Sequence, residues 1–240
     1  MHKILLIFTL TLIFAKALYA QPTLKFSQIR DTPDQMVGAE ILKVIYSKIG
    51  IPIQMLDMPG KRALKESSEG RSDGEVHRIF QVGEDYPSLI RVPTSINYIE
   101  PAVFSKNHDF KVTDCAALAM YQIGIVRGVK HAELCTRGMD KVQVIDYSIK
   151  MMELLQADRI DVAITAKING LVLIKDMGMK SIQALSPPLS RMLVYHYVHK
   201  KHEDLVEKLD RVIIEMQKSG ELELLRKEAI KGLLKKVKTK

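Results

Sequence analysis

Apolar residues along this chain recur with two different periods. From Leu24 to Ile29 they fall near every second position, which predicts a strand. From Pro33 to Ile49 the period lengthens to that of a helix and brings Met36, Ala39, Ile41, Leu42, Ile45 and Ile49 near one face. Asp31 or Thr32 can cap that helix, Pro33 suits its first turn, and Gly50 ends it. The switch then repeats, with a strand over 51–58, a helix over 61–69, strands over 73–80 and 88–93, and an extended stretch over 96–105. This β-α-β-α-β order favours a parallel sheet flanked by helices.

A second unit of the same kind starts near Phe110. Strands are predicted over 121–126, 142–145, 160–165 and 182–184, and helices over 129–137, 148–157 and 168–177. In the helix over 148–157, Ile149, Met152 and Leu155 are expected to face inward. The last segment changes character: a long strand over 192–198, then amphipathic helices over 202–217 and 221–234 with Gly220 between them. No low-complexity or proline-rich linker separates the two units. The chain is therefore expected to cross between two α/β lobes through strands, leaving a cleft of the kind in which small ligands bind.

The N-terminus reads differently from the rest. Lys3 precedes a nearly unbroken apolar run from Ile4 to Ala15, Lys16 interrupts it, and Leu18-Tyr19-Ala20 closes it. This is the pattern of a secretory signal peptide over 1–20, and it implies a periplasmic mature chain. An uncleaved anchor is the other reading, but about 12 apolar residues are short against the roughly 20 that span a bilayer.

The formal charge of +8 falls to +6 once Lys3 and Lys16 are removed. Lys231, Lys235, Lys236, Lys238 and Lys240 concentrate much of it in a solvated tail, with contact to acidic lipid headgroups as the alternative. No interleaving of aromatic and basic residues and no zinc spacing points to nucleic acid. Cys115 and Cys135 form an even count, which in an oxidising compartment suggests a disulfide; two buried free thiols are the alternative. Neither has a nearby CxxC partner, so no metal or catalytic role is expected, and no cofactor.

Four stretches carry a family likeness: Gly70-Arg-Ser-Asp-Gly-Glu-Val76 after a helix, Gln122-Ile-Gly-Ile-Val-Arg-Gly-Val129, Leu155-Gln-Ala-Asp-Arg-Ile-Asp-Val-Ala-Ile164, and the turn Lys218-Ser-Gly-Glu-Leu222 within a closing helical pair. In this order and spacing the chain resembles the bacterial extracellular solute-binding proteins of family 3. The resemblance implies a two-lobed type 2 periplasmic-binding-protein fold, each lobe a mostly parallel sheet flanked by helices. Lobe 1 would comprise 21–105 and 195–240, and lobe 2 would comprise 106–194. It further implies a monomer that captures a small solute by hinge closure and presents it to the membrane permease of an ABC transporter. Two departures stand out. The family's Thr-x-x-Arg is replaced by Gly83-Glu-Asp-Tyr-Pro-Ser-Leu-Ile-Arg91, and Ala166 stands where an amine-binding Asp is common. Both put an ordinary α-amino acid in question.

Several residues are candidates for holding a solute. Arg62 follows Pro59-Gly60 at the carboxyl end of a strand, where a guanidinium fork can grip a carboxylate or simply cap its own helix. Arg78 interrupts a strand expected to be buried; either Glu75 satisfies it or it points into the cleft, and the cleft is the preferred reading. Arg127 and Gly128 precede a helix, where free amides suit an anion and glycine permits close approach, or where the chain merely turns. Thr165 and Lys167 end a strand and can add polar contacts, and Tyr98 can stack on a ligand or pack. Three arginines at strand ends predict a carboxylate-bearing solute.

Other functions fit less of the chain. An enzyme on the same scaffold, dehydratase-like, would need Glu75, His77 or Glu100 as acid or base, yet no recognised catalytic motif surrounds them. A module that presents its solute to a sensory receptor shares every feature with one that serves a permease.

Overall fold

The computed structural model describes residues 22–235. The expected signal peptide, Lys236, Lys238 and Lys240 lie outside the described residues. The chain begins with β1 (Leu24–Ile29), α1 (Pro33–Lys48), β2 (Ile53–Met58), α2 (Gly60–Ser68), β3 (Gly74–Ile79), α3 (Gln81–Asp85), β4 (Leu89–Arg91) and β5 (Asn97–Ile99). It continues with β6 (Pro101–Ser105), β7 (Ile123–Val126), α4 (Lys130–Cys135), β8 (Val142–Ile145), α5 (Ser148–Gln156), β9 (Val162–Ala166), α6 (Lys167–Met177) and β10 (Gln183–Ala184). It closes with β11 (Met192–His199), a 3-10 stretch over Lys200–Leu205, α7 (Val206–Lys218) and α8 (Glu221–Lys235).

These strands form two sheets. The first runs β2-β1-β3-β11-β4, with β5 also on β11; the second runs β10-β6-β9-β7-β8. Each sheet is parallel where β-α-β units build it (β1 with β2 and β3; β7 with β8 and β9). Each turns antiparallel at the strands that carry the chain between lobes, β11 and β6. The sheets are therefore mixed rather than mostly parallel, because a chain that crosses and returns must run against its neighbours.

The lobes also divide elsewhere than at 105/106 and 194/195. The whole of β6 pairs in the second sheet and the whole of β11 in the first, so the crossings fall near Glu100 and just before Met192. Each lobe has its own core. Phe26, Ile41, Leu42, Ile45 and Tyr46 pack under Val198, Leu209 and Ile213 in one. Phe104, Ile123, Met151, Met152, Leu155 and Ile164 pack together in the other. Within α1 and α5 the expected faces are rotated slightly: Met36 and Ile149 are exposed rather than inward, and Met151 takes a core position. The short α3 and a 3-10 turn over Ala116–Leu118 carry no periodicity long enough to read in the sequence. Cys115 and Cys135 are joined, tying that turn to the end of α4. No described helix is long and apolar enough to cross a membrane.

Candidate functional site between the lobes

The lobes meet backbone to backbone. Gly60 opens α2 and Gly128 follows β7. A Cβ on Gly60 would stand 2.9 Å from the Arg127 carbonyl oxygen, and one on Gly128 would stand 2.3 Å from the Lys61 amide nitrogen. Gly128 also has φ of +80°, a left-handed conformation that a Cβ makes costly. Glycine is needed on both sides of this seam.

Arg78 bridges it. Its Nε donates to Glu75 Oε2 at 2.8 Å, its Nη1 to the Gly128 carbonyl at 3.1 Å and its Nη2 to the Gly60 carbonyl at 3.4 Å. The Arg78 and Glu75 side chains are 4% and 0% exposed. Ser67 Oγ donates to the other Glu75 oxygen at 2.7 Å. Burial pushes the Glu75 carboxyl up, and the Arg78 charge opposes that push. On a regular strand, residues three apart face opposite sides. Here β3 takes three steps from Glu75 to Arg78 while β11 takes two from Tyr197 to Tyr195. That bulge turns both side chains to one side.

A second bridge forms at the start of α1. The Asp34 amide donates to Asn169 Oδ1 on α6 at 2.8 Å, and Asn169 Nδ2 donates to Thr165 Oγ1 at 3.3 Å. Asp34 Oδ2 lies 3.0 Å from His77 Nε2. Burial alone would raise the Asp34 carboxyl, but the hydrogen bond and charge of His77 outweigh it, so the group sits below the ordinary carboxylate range. An ionised carboxylate can only accept, so His77 Nε2 carries the proton. The other His77 nitrogen packs 2.3 Å from where a Gly38 Cβ would be. A third bridge, Lys130 Nζ to Asp85 at 3.5 Å, lies nearer the surface.

Between the first two bridges lies a cavity of about 30 Å³ with Asp34, Gln35 and Arg78 on one side and His131 and Asn169 on the other. That leaves room for little more than a water molecule or two. Gln35 Oε1 and His131 Nδ1 are buried without a partner. Burial holds His131 down at about 4, only partly opposed by Asp34, so the ring is neutral at pH 7. The lobes are thus closed on a polar centre whose hydrogen-bonding capacity is not used up.

The sequence candidates separate clearly against this geometry. Arg78 and Glu75 both lie at the seam. Thr165 stands behind Asn169 rather than facing the cavity. The Gly128 amide is occupied by the chain's own Glu133 carboxylate, at 2.6 Å, so its role is to seat the lobes and not to cradle a foreign anion. Arg127 turns aside to Asp146 at 2.9 Å and is 46% exposed, while Arg62 is 69% exposed beside Glu66. Lys167 is half-buried at the start of α6, where its amide donates to the Glu100 carbonyl. Tyr98 lies outside the cavity, between Arg191 and Arg226. Asp34, Gln35, His131 and Asn169 were not foreseen. One signal was present: Asn169 is polar, like Thr165 and Lys167 before it, in a stretch that is otherwise apolar or glycine from Val162 to Ile174.

The two-sheet arrangement is found in many solved structures. A histidine kinase sensor domain similar to periplasmic binding proteins superposes with a TM-score of 0.75 at 16% identity, covering 87% of this chain and 96% of that one. The amino-acid ABC transporter substrate-binding protein AbpA of Streptococcus pneumoniae, bound to L-arginine, gives 0.72 at 16% identity over 89% and 97%. The fold is that of the type 2 periplasmic binding proteins. In sequence, an uncharacterized protein of Shewanella oneidensis is 27% identical over 179 residues, 72% of this chain and 67% of its own length. No family model matches. Within the type 2 periplasmic-binding-protein fold, the cavity between Asp34, Arg78 and Asn169 occupies the gap between the lobes, where ligands of open α/β sheets gather.

Proposed function

We propose that the protein captures a small, carboxylate-bearing solute, amino-acid-like or a simple organic acid, by closing its lobes, and does not transform it. The observation that carries this reading is the polar seam: Arg78 and Asp34 each bond across it, and Gln35 and His131, which line the gap, carry buried polar atoms without a partner. Each terminal nitrogen of Arg78 retains one N–H beyond its carbonyl bond, enough to receive a carboxylate. Asp34 supplies the opposite charge for an ammonium, which takes the place of the Asp missing at Ala166. The cavity offers only about 30 Å³, so the solute enters with the lobes further apart and replaces some of the direct bridges.

The closed form would then be presented to the permease of an ABC transporter. The likeness to a kinase sensor domain favours a second reading, in which the same closure is read by a membrane receptor. Solute identity is tested by denaturing protein purified from its native periplasm and identifying released small molecules by mass spectrometry. A stoichiometric small acid supports capture; a solute consumed on incubation with fresh protein would overturn it in favour of catalysis. Deleting the gene separates the partners: transport predicts lost uptake, and sensing predicts intact uptake with a lost transcriptional response.

A further inference from the structure

A second cavity, of about 200 Å³, lies outside the cleft at the hinge. It is lined in part by Tyr98 on β5, the strand that leads into the first crossing. The Arg191 Cζ lies 3.6 Å from the ring centroid and the Arg226 Cζ 3.8 Å. Two guanidinium groups this near one centroid fit only on opposite faces. Arg191 immediately precedes β11 on the return crossing, and Arg226 projects from α8. The site therefore ties both crossings to the closing helix.

The arrangement is built rather than incidental. Asn97, 7% exposed, uses its Oδ1 to accept both the Tyr98 amide at 2.8 Å and Arg226 Nε at 3.0 Å. This fixes the side-chain amide with its NH₂ group free of any hydrogen-bonded protein acceptor among the described residues. Neither arginine has a carboxylate within ion-pair distance among the described residues. The nearest acid of the lining, Glu223, is engaged with Lys227 at 3.7 Å. The ring holds both guanidinium groups in place, and the Arg191 nitrogens and the terminal nitrogens of Arg226 have no hydrogen-bonded acceptor among the described residues. The pocket thus gathers donors and positive charge with little to balance them, and such a pocket suits a ligand made of acceptors.

We propose that this hinge pocket binds a small oxyanion, a phosphate or a free carboxylate, independently of the solute in the cleft. The anion joins Arg191, Arg226 and the Asn97 amide, and so stiffens the two crossings. The test is calorimetric titration of the full mature chain with inorganic phosphate and, separately, with succinate, at constant ionic strength. Saturable binding is expected with at least one of them, weakened at least about tenfold in Arg191→Gln and in Arg226→Gln and retained in Arg62→Gln, which removes an exposed arginine away from the pocket. Arg226→Lys, which keeps the charge and loses the fork, should fall between. Phosphate alone binding marks an inorganic or phosphoryl ligand; succinate alone marks a carboxylate. No saturable heat up to about 10 mM of either anion, unchanged affinity in Arg191→Gln combined with Arg226→Gln, or an equal loss of binding in Arg62→Gln would overturn the proposal.

Discussion

Arg78 Nη1 reaches from the first lobe to the carbonyl of Gly128 on the second, at 3.1 Å, while its Nε holds Glu75. One buried guanidinium therefore neutralises a buried carboxylate and latches the lobes together. Arg78→Ala removes both functions. Leaving Glu75 buried and unpaired costs about 3–5 kcal/mol of stability. Urea unfolding should show this loss, and Arg78→Ala combined with Glu75→Gln should recover much of it.

Gly128 has no room for a side chain. Gly128→Ala places a Cβ against Lys61 in a left-handed backbone, so the mutant should keep its two folded cores and lose the closed seam. Small-angle scattering should report a larger radius of gyration than in wild type under the same conditions. An unchanged radius would place the lobe contact elsewhere.

Gly38 is confined just as tightly behind the seam. A methyl there would meet His77 Nδ1 at 2.3 Å and push the ring off Asp34. Gly38→Ala should destabilise the fold by about 1–3 kcal/mol, the range for overpacking a tight core, and weaken solute binding as Asp34 loses its orientation. Denaturant melts and calorimetry measure the two effects separately.

Acid should loosen the molecule through two buried histidines. Burial holds both His131 and His196 at about 4, below the ordinary value of 6.5. His196 is fixed between the Tyr46 hydroxyl and the Glu75 carbonyl, and His131 stands at the seam. In the unfolded chain both rings take up protons as pH falls below about 6.5, while in the folded chain they do so only near 4. Their contribution is therefore complete above pH 6.5 and is lost progressively between 6.5 and 4, by up to about 3 kcal/mol for each ring. His196→Gln and His131→Gln should each flatten the pH dependence of the melting temperature in that window.

The Cys115–Cys135 bridge closes a separation of 20 residues. On the chain-entropy account such a loop is worth about 3 kcal/mol. Cys115→Ser with Cys135→Ser should lower the melting temperature by on the order of 10 °C, and reductant should lower that of the wild type alone.

Much of this molecule was legible from period and punctuation. The periods around Leu24, Ile41, Val142 and Leu155 locate elements to within a residue or two, and two β-α-β runs without a linker imply two lobes. The site was harder to read. Arg78 and Glu75 stood out as charges in an apolar strand, but the bulge that brings them to one side depends on the register with β11, a pairing over a hundred residues distant. Arg62 and Arg127 look equivalent to Arg78 in sequence. Each has a local acid, Glu66 and Asp146, that turns it outward. Asp34 is a first-turn acid of α1, and only the approach of Asn169 from the other lobe gives it a second role.

The most direct test of the account is calorimetric titration of the solute recovered from the native protein against wild type, Arg78→Lys and Asp34→Asn. A carboxylate-bearing solute is expected to bind wild type and to lose at least about a hundredfold in affinity in each variant, because Arg78 holds its carboxylate and Asp34 orders the polar centre beside it. A neutral or purely cationic solute, bound with unchanged affinity by all three proteins, would contradict it.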